Sequence, residues 1–406
     1  MSKADKRINV VANQSLRKQQ GPAGDETLFG AECGKQVRAY HESFPTYEPT
    51  ELVKLDNLAS YLGVKSINVK DESSRFGLNA FKGLGGSHCI GKYIGRACDI
   101  PESELSYQAL QSDKVQDYLR NVTFVTATDG NHGRGIAWTA RELGAKAVVY
   151  MPHGSALERL ENIRALGAEA EITEWNYDDT VRYAAKCQEE KGWVLVQDTS
   201  WEGYETIPTW IMQGYTTMAL EAAEQLGSEK PTHVFLQAGV GAMAGALAAF
   251  FADYYGNDKP QIIIVEPDKA DCIYRTAEAN DGTLHIVTGA LDSIMAGLSC
   301  GEPCTVAWGM LERYADFFVS MPDYVAAKGM RVLGNPLPGD KAIISGESGA
   351  STTGFVAEIL ENTQYKDIKQ MLRLGEDSVI LCISTEGDTD KANYRRIVWD
   401  GAYSNY

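Results

Sequence analysis

The sequence predicts an α/β protein of two lobes, each a mostly parallel sheet flanked by helices. Three observations predict it. The chain has 406 residues, enough for two lobes. Strand-like and helix-like stretches alternate on both sides of residue 200, the pattern of βαβ units. Glycine follows the helical stretches at Gly63, Gly144 and Gly167, where a left-handed cap ends a helix. The apolar share is 44% and the charged share 23%, as in an ordinary globular chain.

Taken in order, residues 1–30 are polar and without a period. They read as a mobile arm or a partner-binding extension. From Glu51 a helix is expected, because Leu52, Leu55, Leu58, Ala59 and Leu62 share one face and Gly63 closes it. Residues 66–70 alternate as a strand. A loop follows, and then a helix from 82 to about 95. The polar segment 100–120 reads as an inserted surface excursion. Beyond it, strands are expected over 123–127, 147–151, 169–172, 194–197, 233–236, 261–265 and 378–383. Helices are expected over 133–143, 156–166, 178–191, 207–226 and 242–255.

The 38 basic and 55 acidic residues leave a net charge of −17. That balance argues against nucleic acid and for small-molecule chemistry. No apolar run reaches membrane-spanning length, and the first residues lack the apolar core of a secretory signal, so a cytoplasmic protein without membrane attachment is expected. The eight cysteines form no CxxC, and Cys300-Gly-Glu-Pro-Cys304 has no matching second pair. No metal site is expected, and the thiols read as reduced, with a bridge such as Cys272 to Cys300 left open.

Five stretches carry chemistry. The first is 73–87, SSRFGLNAFKGLGGS, which sets Lys82 at a glycine-rich helix start. A positioned, partly desolvated lysine amine attacks a carbonyl well, although alone this lysine reads as a surface residue. The second is 126–133, TATDGNHG, between a strand and a helix, where free amides can hold a carboxylate. Asp129 is its unusual member: it either caps the turn or acts on something cationic. The third is 237–245, QAGVGAMAG, whose amides can cradle a phosphate. With Glu266 it also imitates a dinucleotide fingerprint, one residue too long, which keeps an NAD-dependent oxidoreductase as a rival. The fourth is 384–390, STEGDTD, where a hydroxyl could face a ring nitrogen or a residue could cap a helix. In the fifth, VQDTS over 196–200, Asp198 ends a strand.

The ordered set resembles the fold-type II pyridoxal phosphate (PLP) enzymes, the tryptophan synthase β and threonine dehydratase group. The order there is lysine, asparagine loop, glycine-rich phosphate loop, then Ser/Thr after the last strand. Here it is Lys82, Gly130-Asn131-His132-Gly133, Gly239-Val-Gly241-Ala-Met, and Ser384-Thr385. The segments 49–72 and 294–303 resemble the family's lead-in and middle, so the likeness spans roughly 45–390. It implies a large PLP-binding domain of 1–100 and 201–406, a smaller α/β domain of 101–200, and the cofactor in the cleft between them. It implies that Lys82 holds PLP as a Schiff base. Phe81, Asn131, Gly239, Val240, Gly241, Ala242, Met243 and Ser384 or Thr385 would contact the cofactor, and Thr128, Asp129, Gly130, Asn131, His132 and Asp198 the substrate. A homodimer is implied too.

Two departures sharpen this. The group's dehydratases usually carry a small residue where Asp129 stands, and Ser-Phe where this chain has Ala80-Phe81. The forms NAFKG, TATDGNHG, VQDTSWEGYE and STEGDTD are similar to a branch that eliminates ammonia from 2,3-diaminopropionate to give pyruvate. That resemblance implies acid–base roles for Asp129 and Asp198, one for each face of the substrate if both D and L isomers react. An amine leaves poorly unless protonated, and a second amine on the substrate offsets the charge of an aspartate. A serine or threonine dehydratase is the same-fold alternative. His132 is expected to be structural or to stand behind the reacting groups.

Overall fold

The apolar runs become the middles of two sheets. The computed structural model describes residues 7–15, 25–128 and 130–405. Its strands are β1 (Asn9–Ala12), β2 (Glu51–Lys54), β3 (Ser66–Asp71), β4 (Thr123–Ala127), β5 (Lys146–Met151), β6 (Glu169–Ile172), β7 (Val194–Leu195), β8 (His233–Gln237), β9 (Gln261–Pro267), β10 (Phe317–Met321) and β11 (Val379–Ser384). A seven-stranded sheet runs β1-β10-β9-β8-β11-β3-β2, and a four-stranded sheet runs β6-β5-β4-β7. The smaller sheet is parallel throughout. In the larger one only the edge strands β1 and β2 are antiparallel to their neighbours.

Burial on both faces explains why the central strands read as nearly unbroken apolar runs. Along β8, Val234 and Leu236 point into one apolar core and Phe235 into the other. The first core also takes Phe124, Ala147, Val149 and Met151 from β4 and β5, so it joins the two sheets. The helix Ala242–Tyr255 is apolar on all sides and buried from Ala242 to Phe251, as a helix inside a core must be. Where the helices Gly83–Ala97 and Thr206–Gly214 cross, only glycine fits: a Cβ on Gly214 would lie 2.4 Å from Leu84 O.

Several expectations need correction. Residues 51–54 form β2, and the helix begins only at Asp56, ending at Gly63 with φ +69°. Leu52 satisfies a strand as well as a helix pattern, and pairing with β3 decides. The arm expected over 1–30 contains β1, paired with β10, and Phe29, fully buried; residues 1–6 and 16–24 lie outside the described residues. The helix expected over 207–226 is two helices, Thr206–Gly214 and Thr216–Leu226, meeting at Tyr215. The 100–120 excursion is anchored by buried Leu110, Val115 and Leu119. β7 stops at Leu195, because the Gln197 side chain then takes over the pairing: its Oε1 accepts from Ala127 N at 2.9 Å and its Nε2 donates to Ala127 O at 3.0 Å.

Behind the lysine stretch lies a buried ionic knot. Lys70 Nζ donates to Glu221 Oε2 at 2.6 Å, and Arg75 donates to Glu72 and Glu221 at 2.8 Å, with all four side chains at most 2% exposed. Removing one member of such a knot strands a buried charge, which typically costs about 3–5 kcal/mol. The knot pins the chain between β3 and Lys82. Among the described residues no helix is long and apolar enough to cross a membrane, and no cluster of side chains could hold a metal ion.

Candidate active site

Parallel strands deliver their carboxyl ends to one side of a sheet, where such folds bind ligands. Residues that follow β3, β4, β7, β8 and β11 line one cleft here: Lys82, Asn131, Asp198, Gly239 and Thr385.

Lys82 sits just before the helix Gly83–Ala97. Its neighbour Phe81 donates its N–H to Thr385 O at 3.1 Å, and a Cβ on Gly135 would lie 3.0 Å from Lys82 O. The backbone is therefore clamped between the loop after β11 and the helix Asn131–Leu143. The amine reaches into the cleft and pairs with Asp198 Oδ2. The other oxygen, Asp198 Oδ1, accepts from Tyr177 Oη and Gln197 Nε2, both at 3.3 Å. Burial pushes the Asp198 carboxyl up, but the His132 ring and the Lys82 ammonium pull harder and hold it at about 2. Burial also pushes His132 below its ordinary value, so its ring adds to that pull only in acid, and near pH 7 the Lys82 ammonium is the cation beside Asp198. His132 Nε2 holds its proton against Val196 O at 2.8 Å, which leaves Nδ1 bare, without a partner, 3.8 Å from Asp198 Oδ2.

Opposite the lysine, Gly241 takes φ +95° and opens the helix Ala242–Tyr255 without a side-chain cap. Only glycine adopts that conformation without strain. The first N–H groups of a helix have no partner within it and attract anions. Gly239, Val240, Gly241, Ala242 and Met243 all line the cleft. So do two buried polar atoms without a partner, Gln237 Oε1 and Ser348 Oγ. An amine, an anion cradle and unsatisfied polar atoms in one cleft fit a phosphorylated carbonyl cofactor.

Of the expected contact residues, Phe81, Thr128, Asn131, His132, Asp198 and Thr385 also line the cleft. Ser384 does not: its hydroxyl donates to Ser345 Oγ at 2.8 Å. Gly130 stands behind the wall with φ +147°, where a Cβ would meet Arg159 at 2.9 Å. Asp129 lies outside the described residues. Glu266, needed at an exposed strand end by the dinucleotide reading, is buried and uses both oxygens on the N–H groups of Ile273 and Tyr274. Sequence reasoning passed over Tyr177, Gln237, Ser348 and Glu386, all in the wall. Glu386 and Gln237 stand inside stretches that were singled out, but their roles come from distant partners. No disulfide joins Cys272 to Cys300, and none of the other six cysteines, all among the described residues, forms one.

Beyond the cleft, Glu347 is buried and donates nothing; it accepts from Asn393 Nδ2. Burial, then repulsion from Glu386, pushes its carboxyl up to about 7. Between about pH 4.5 and 7 the native state keeps a proton that the unfolded chain has released, so stability falls as pH rises through that window. Glu347→Gln mimics the protonated form and is expected to be more stable than the parent at pH 8, by roughly 2–3 kcal/mol, with little difference at pH 4. Thermal unfolding at both pH values checks this; equal pH dependence in the two proteins would contradict it.

The fold and the cleft define an enzyme of the pyridoxal-phosphate dependent class, and residues 44–386 match that family's model. The chain is 50% identical over 389 residues to a diaminopropionate ammonia-lyase of Salmonella typhimurium, covering 95% of this chain and 96% of the relative. The diaminopropionate ammonia-lyase of Escherichia coli, solved with an aminoacrylate–PLP azomethine reaction intermediate, superposes with a TM-score of 0.89 at 47% identity over 98% of each chain. The same E. coli protein, solved with D-serine, superposes with a TM-score of 0.88 at 47% identity and the same coverage. The chain belongs to the pyridoxal-phosphate dependent enzyme family and, within it, to the diaminopropionate ammonia-lyases.

Proposed function

We propose that the chain eliminates ammonia from 2,3-diaminopropionate, as both D and L isomers, leaving pyruvate and ammonia. The observation that carries the reading is the ionised Asp198 beside Lys82 in the cleft, in a chain that follows the ammonia-lyases along its length. A substrate with a second amine brings a cation that offsets such a carboxylate, and the carboxylate can stabilise that amine as it leaves. The D-serine complex of the E. coli relative supports acceptance of D-amino acids.

Lys82 would hold the cofactor, the Gly239–Met243 amides its phosphate, Asn131 a cofactor oxygen, and Thr385 its ring nitrogen. When bound, PLP supplies an electron sink for the pair left as the α-proton departs. The remaining work falls to the chain's own groups. Asp198, held by Tyr177 and Gln197, is in the state to accept a proton or to stabilise the leaving ammonium. Asp129 is assigned the matching role on the opposite face. His132, with Nδ1 bare toward Asp198, stands where it can share that proton. Thr128 Oγ1 accepts from the N–H groups of Gly130 and Gly133 at 2.9 and 3.1 Å, which shapes the loop for the substrate carboxylate.

The reading also takes 101–200 as the smaller domain, and 1–100 with 201–406 as the larger, with the cofactor between them. The four-stranded sheet, confined to residues between Thr123 and Leu195, supports that division. A cytoplasmic homodimer completes it, and the dimer rests on the family resemblance. Turnover of each diaminopropionate isomer and of serine by the purified protein tests the function. Diaminopropionate is expected to be the far better substrate; serine as the better one would make the chain a dehydratase.

A further inference from the structure

Glu386 stands in the cleft wall at 1% exposure, and the reaction as read above does not use it. Its oxygens receive donors from three directions. Oε1 accepts from Ser348 N at 3.1 Å. Oε2 accepts from Asn131 Nδ2 and from Thr389 Oγ1, the latter at 3.3 Å. A group that meets only donors must be an acceptor at both atoms, which a carboxylate is and a carboxamide is not. The frame around it is tight. Glu386 O accepts from Gly346 N at 3.0 Å, and a Cβ on Gly349 would lie 3.0 Å from the same oxygen.

The contact reaches further. The single hydroxyl proton of Thr389 goes to Glu386, so its oxygen is left to accept from Arg159 Nη2 at 3.4 Å. Arg159 is buried on the helix Leu157–Arg164, which follows β5, and Asn131 follows β4. Asn131 directly, and Arg159 through Thr389, thus connect helices that follow strands of the smaller sheet to one carboxylate that follows β11 of the larger sheet.

We infer that Glu386 is a positioning residue: it fixes the Asn131 amide for the cofactor, and through Thr389 and Arg159 it ties that placement to the seam between the two sheets. The inference rests on the reading of Asn131 as a cofactor contact. An isosteric Glu386→Gln change turns an NH₂ group toward one of the donors, so the Asn131 contact or the Ser348 contact is lost.

The test is a double-mutant cycle read as the apparent Kd of the cofactor-free protein for pyridoxal phosphate, with the visible band of each loaded protein recorded. Glu386→Gln and Asn131→Ala are each expected to weaken binding by about tenfold or more. In the Asn131→Ala background, Glu386→Gln is expected to add less than about twofold and to leave the band unmoved. Thr389→Val, which removes only the hydroxyl bridge, is taken through the same cycle should Glu386→Gln not fold; it is expected to weaken binding by about threefold, again only when Asn131 is present. A full effect of Glu386→Gln or Thr389→Val in both backgrounds, or wild-type affinity in the single variant, would overturn the inference alone. Wild-type affinity of Asn131→Ala would overturn the placement of Asn131 itself.

Discussion

Replacing Lys82 with alanine is expected to abolish the covalent link to the cofactor and to lower turnover by at least about 10³-fold. The amine is the group among the described lining residues able to join a carbonyl, and its backbone is clamped at the cleft. The change also removes the cation beside Asp198, a buried carboxylate that is then left uncompensated. Lys82→Arg separates the two effects, because a guanidinium keeps the charge but is never deprotonated to attack a carbonyl. Lys82→Arg is therefore expected to lose the link and the activity while unfolding close to the parent. Borohydride reduction followed by peptide mapping reads the link. A reducible adduct on another lysine in Lys82→Ala would contradict the assignment.

The second large effect is expected at the aspartates. Asp198→Asn preserves shape but cannot take a proton, and should lower elimination by about 10²–10⁴-fold with the cofactor still bound. Asp129→Asn is expected to do the same. If the two carboxylates serve opposite faces, each variant will damage one isomer of diaminopropionate far more than the other. Steady-state rates on the separate isomers check this. Activity within a few-fold of the parent on both isomers would make the substituted aspartate structural.

How much of this was legible in the sequence varies by element. The central strands were legible because burial on both faces leaves unbroken apolar runs, and the expected 123–127 is the observed β4. The edge strands β1 and β2 were not. Each has four residues with an ambiguous pattern, and their pairing with β10 and β3 exists only in three dimensions. Site residues that close or open an element stood out: Lys82 at a glycine-rich helix start, and Gly241 at a turn only glycine tolerates. Glu386 did not, because its meaning lies in Asn131, which is 255 residues away in the chain. Ser384 and Thr385 are equivalent as letters. The end of β11 separates them: the Ser384 hydroxyl donates to Ser345 Oγ, whereas Thr385 lines the cleft and its hydroxyl accepts from Gln237 Nε2. The dinucleotide reading was a matter of spacing, and the use of Glu266 as a buried cap for the helix Cys272–Ala279 removes it.

The most direct test of the central claim, a Lys82-held cofactor acting on 2,3-diaminopropionate, is the visible spectrum of the purified protein before and after adding each isomer. The account predicts a visible band at rest. The band should change with D- and with L-diaminopropionate while pyruvate and ammonia appear, and it should be missing in Lys82→Ala. A colourless protein, or a band that answers serine and ignores both isomers, would contradict it.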